Sequence, residues 1–106
     1  MSENVDIEKD LRRTVSDVAA RFEKNPHRVL EEALDLTLET TPDGQLVGFS
    51  MLIGYGGPNI EVVYHRGSAA VYGAWASVEV KYPVSRAAAE KILDELDELP
   101  RCGGRA

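Results

Sequence analysis

The chain has 106 residues and a mass of 11.6 kDa, which allows one domain that hides roughly two-thirds of its unfolded surface. Its 12 basic and 18 acidic residues leave a net charge of −6. That balance argues against holding nucleic-acid phosphates directly or docking on an anionic membrane. At 43% hydrophobic and 28% charged, the composition is that of a folded domain. No apolar run is long enough to span a membrane. The acidic start Met1–Asp6 has no apolar leader, so a cytoplasmic location is expected.

The first segment reads as a helix. Ile7, Leu11, Val15, Val18 and Phe22 recur at spacings of three and four and form one stripe. Asn4 is the expected cap. Glu8 to Arg12 and Asp17 to Arg21 are expected pairs on the wet face. Asn25-Pro26 ends this helix and starts a second one, with Asn25 as cap and Pro26 in the first turn. Val29, Leu30, Ala33 and Leu34 continue the helical period. Leu34, Leu36 and Leu38 then alternate with polar residues, and this favours a short strand near 36–41 over a longer helix.

Thr41-Pro42-Asp43-Gly44 is a turn, because proline presets φ and glycine accepts positive φ. Leu46 to Tyr55 is apolar on both faces: Val47, Phe49, Met51, Ile53 and Tyr55 on one, Leu46 and Leu52 on the other. It reads as a central strand with one face on the helices and the other at least partly covered. Gly48 and Gly54 suggest a bulge or a close backbone approach. Ile60 to Tyr64 is a further strand. With Arg66-Gly67 as a two-residue hairpin centre, Tyr64 faces Ala69, Val62 faces Val71 and Ile60 faces Gly73. Ala69 to Trp75 is the returning strand. Val78, Val80 and Tyr82 either extend it past a bend or form an edge strand, which Lys81 and Pro83 would blunt. Ser85 caps a last helix with the stripe Ala89, Ile92, Leu93, Leu96 and Leu99, stopped by Pro100.

The expected fold is therefore α+β: an antiparallel sheet of four to five strands with two N-terminal helices and one C-terminal helix, in the order α-α-β-β-β-β-α. Residues 1–99 are expected to form the domain and 100–106 a flexible tail.

No catalytic constellation is visible. Gly54-Tyr55-Gly56-Gly57-Pro58-Asn59 lacks the last glycine of a dinucleotide fingerprint and precedes a strand; it reads as a turn, or as a rigid loop presenting Tyr55 and Asn59. His27 and His65 lie far apart, with Cys102 the single cysteine, so no metal site and no cofactor are expected. Ser50 lacks the surroundings of a nucleophile elbow, and Ser85 is explained as a cap. Phe49, Tyr55, Tyr64, Tyr72, Trp75 and Tyr82 all fall in the sheet region. With few basic neighbours they read as core plus a protein-contact patch. Positions 90–98 of the last helix hold Glu90, Asp94, Glu95, Asp97 and Glu98 against Lys91 alone. That is either a solvated face or an acidic surface aimed at a basic groove.

Residues 46–99 resemble a group of small uncharacterised proteins of phages, prophages and some archaea. The pattern runs through Leu52-Ile53-Gly54-Tyr55-Gly56-Gly57-Pro58-Asn59-Ile60-Glu61-Val62, Val71-Tyr72-Gly73-Ala74-Trp75 and the helix with Leu93, Leu96 and Leu99. Many members have Gly-Tyr-Trp where this chain has Gly73-Ala74-Trp75. The resemblance implies no activity, but its mobile-element setting favours a small host-directed binding protein, such as an inhibitor of restriction or CRISPR machinery. The expectation is a non-enzymatic acidic module contacting a protein partner through Tyr55, Asn59, Trp75, Glu90, Asp94, Glu95, Asp97 and Glu98. A homodimer is a further option. The alternative is a small-ligand or nucleotide-binding protein using the Gly56–Asn59 loop.

Overall fold

The computed structural model describes the backbone of residues 2–54 and 58–98, with side chains from Asp6 onward. Helix α1 spans Ser2–Lys24 and α2 spans Pro26–Glu32. Strands β1 (Asp35–Thr40), β2 (Leu46–Gly54), β3 (Asn59–His65), β4 (Ser68–Trp75) and β5 (Val78–Pro83) follow, and α3 (Arg86–Asp97) closes the chain. The five strands form one antiparallel meander in the order β1-β2-β3-β4-β5, so the fold is α+β.

The helices form where the stripes and caps place them. Leu11, Val15, Val18 and Phe22 are buried on α1, and Ala88, Ala89, Ile92 and Leu96 on α3. The Asn25 side chain accepts from the Arg28 N–H, and that of Ser85 from the Ala88 N–H. The start of α1 differs from expectation: it begins at Ser2, so Asn4 lies inside the helix rather than capping it. No proline or glycine in Ser2–Asn4 breaks the helix there. Arg12 pairs with Glu8 at 2.8 Å as expected, but Arg21 turns from Asp17 to Glu32 of α2 at 3.4 Å.

The β3–β4 hairpin has the expected register: Tyr64 faces Ala69, Val62 faces Val71 and Ile60 faces Gly73. Arg66 and Gly67 both take positive φ, 50° and 92°, the geometry of a two-residue turn that follows strand twist. The stretch 35–40 is a strand, and β5 is separate from β4. Ala76 at φ 56° makes the turn between them.

Helices cover one sheet face. Phe49, Met51, Ile60, Val62, Tyr64, Ala69, Val71 and Val80 meet the helical stripes there in one cluster. Each large side chain fully buried in it contributes about 1.5–3 kcal/mol. Gly73 exists for this contact, since a Cβ there would clash with Val15 and crowd Leu11. Leu46 joins this face, contrary to the plain alternation. The register slips between Glu39 and Thr40, leaving Val47 as the extra residue of a bulge, which turns Leu46 inward. A second slip between Leu52 and Gly54 confirms the expected irregularity at Gly54. The other face was expected to be at least partly covered, and none of the described helices packs on it. Ser50, Leu52 and Val63 are half-shielded there by their neighbours, and Ala70 is buried outside the main core.

Candidate functional site

The acidic helix is less uniform than its sequence. Near its start, Glu90 accepts from the Arg86 guanidinium at 2.7 Å and from the Tyr64 hydroxyl at 3.4 Å. The arginine holds the Glu90 carboxyl below its usual range, and Glu90 in turn raises Arg86. One turn from the end, both Glu95 oxygens face the His27 ring of α2 from Nδ1, at 2.7 and 2.9 Å. Nε2 of the same ring lies 3.1 Å from Glu31. With a carboxylate on each side the ring favours its doubly protonated form. The pKa of His27 is raised from 6.5, first by the Glu95 hydrogen bond and charge and then by Glu31.

Two of the five helix acids thus have side-chain partners inside the fold. Asp94, Asp97 and Glu98 stay exposed along the final turn and a half, with Lys91 also exposed. Asp97 has an interaction partner of its own. Sequence spacing showed the acids but not the His27–Glu95 pair, because its members come from different helices.

The other expected contact residues are dispersed. Asn59 begins β3 opposite Ala74, on the face without helices. Trp75 ends β4 opposite Val78 and shares the parity of Gly73, on the helix-covered face, where it is 39% exposed. Glu90 meets Tyr64 at the far end of β3, about 16 Å of strand from Asn59. Tyr55 and Cys102 lie outside the described residues, as do the Gly56-Gly57 step and the 100–106 tail.

A groove of about 530 Å³ opens on the bare face beside Asn59, lined by Glu61, Tyr72, Glu79 and Lys81. Lys81 sits 5.7 Å from the Tyr72 ring centroid. Two carboxylates against one ammonium repel polyphosphate, so this groove lends no support to nucleotide binding. A recess of about 430 Å³ at the α1–α2 corner holds Arg21, Lys24 and Arg28, with Glu32 between the two arginines. Among the described residues no group of three or more His, Cys, Asp or Glu side chains is placed to hold a metal ion. No described helix is long and apolar enough to cross a membrane. No protein-family model, curated protein or solved structure matches the chain.

Proposed function

We propose that the protein is a binding module whose α3 engages a partner with a basic groove. The observation that carries this reading is the pair of exposed acids Asp94 and Glu98 at the end of α3, beyond Glu90 and Glu95, which pair with Arg86 and His27. Acids at a helix C-terminus oppose the macrodipole and cost a few tenths of a kcal/mol each, so these two are not there for helix stability. A negative ridge on a rigid helix complements a positive groove and speeds encounter with it. In its sharpest form the partner is an enzyme that handles nucleic acid, and α3 occupies the path of the phosphate backbone.

Competition tests this form. A partner captured on the immobilised chain is challenged with short duplex DNA. Release by DNA in proportion to its concentration supports occupation of the nucleic-acid path. A complex that binds DNA while keeping the chain removes it.

A further inference from the structure

The free edge of β5 pairs with itself, and we infer that the protein forms a symmetric homodimer through an antiparallel β5–β5 contact. The inference is independent of any role for α3.

The backbone supports it first. The Val84 N–H donates to the Ala69 carbonyl at 3.1 Å, and Val71, Gly73 and Trp75 stand opposite Tyr82, Val80 and Val78. Antiparallel ladders alternate between pairs that exchange both hydrogen bonds and pairs that exchange none. Val84, Tyr82, Val80 and Val78 therefore spend their backbone groups on β4. Glu79 and Lys81 point theirs outward, and Pro83 offers outward only a carbonyl. Among the described residues no strand follows β5 in the sheet order.

The side chains then select one register. Centred on Val80, a two-fold pairing places Glu79 of each copy opposite Lys81 of the other. Both outward residues exchange hydrogen bonds, and each cross-strand neighbour is an opposite charge on the bare face. Val80 meets its own copy across the axis, and Tyr82, 47% exposed, lies across the second Val78. The neighbouring registers fail. Centring on Lys81 opposes two lysines and sets Glu79 against a proline with no N–H; centring on Glu79 opposes two carboxylates. A lone edge lysine repels most strands, but with Glu79 two positions away it becomes selective for a second copy. The other edge lacks this property, because the charged residues of β1 on the bare face, Asp35 and Glu39, are both acids.

Sedimentation of the full chain over a concentration series tests this. The wild type is expected to show a monomer–dimer equilibrium. Glu79→Lys or Lys81→Glu alone turns both symmetric attractions into repulsions and should raise the dissociation constant at least about tenfold. The double exchange Glu79→Lys/Lys81→Glu should restore it. Both positions are exposed, and circular dichroism of each variant confirms the fold. Asp94→Lys/Glu98→Lys should leave the dimer intact, which separates this contact from the one assigned to α3. A wild type that stays monomeric, a dimer indifferent to both single reversals, or a double exchange that does not recover would overturn the inference.

Discussion

The Glu95 carboxylate grips the His27 ring at 2.7 Å and so ties α3 to α2. This contact is a polar bridge between two helices whose Val29, Ile92 and Leu96 all belong to the one buried core. It also makes the joint sensitive to pH. The folded-state pKa of His27 lies above the ordinary 6.5. Its contribution is therefore complete below about pH 6.5 and is lost as pH rises through the folded value. The gap in unfolding midpoint between the wild type and His27→Gln should be larger near pH 6 than near pH 8.5. A gap that widens with pH would contradict the assignment. Histidine titration by NMR should place His27 above 6.5.

Glu90 has the opposite sign. Arg86 lowers its pKa from 4.5, so its contribution is present above that value and disappears as pH falls through the lowered one. Glu90→Gln should narrow its stability deficit in acid. A deficit that persists unchanged at low pH would show that the carboxylate charge is immaterial there.

Two glycines should tolerate alanine poorly, for different reasons. At Gly73 the added methyl meets the Val15 and Leu11 side chains, and Ile60 at 3.2 Å, so side chains rather than backbone must give. A loss of about 1–3 kcal/mol is expected from overpacking. At Gly48 the methyl runs into the Tyr64 carbonyl of the neighbouring strand, which cannot move without opening the ladder. Gly48→Ala should cost more than Gly73→Ala in urea unfolding. The reverse order would show that the β2–β3 ladder gives more readily than the α1 contact.

The caps of α2 and α3 are local and separable. Ser85→Ala removes the acceptor for the Ala88 N–H, and Asn25→Ala that for Arg28. Each should cost about 0.5–2 kcal/mol in urea unfolding. A change below the error of the measurement would mean that water replaces the cap.

Which features were legible in the sequence follows from how local their causes are. The β3–β4 register could be read because Arg66-Gly67 sets the turn length and the turn length sets every pair beyond it. The β4–β5 turn could not, since Ala76-Ser77 carries no glycine or asparagine to announce positive φ, yet Ala76 adopts it. The inward turn of Leu46 depends on a bulge that alternation does not reveal. For the candidate surface, the acids of α3 are plain in the sequence. That His27 pairs with Glu95 is a consequence of packing that no local pattern encodes, whereas the opposite faces of Asn59 and Trp75 follow from the β3–β4 register and strand alternation.

Salt-resolved capture by the full chain, compared with Asp94→Lys/Glu98→Lys, tests the central claim most directly. Lysine near a helix C-terminus favours the dipole, so this variant should fold at least as well as the wild type, and a loss of binding reports the surface alone. The wild type should retain basic proteins at low salt and release them as ionic strength rises, while the variant retains none of the same set. Retention of the same proteins by both chains, or retention indifferent to salt, would contradict the claim that α3 is the acidic contact surface.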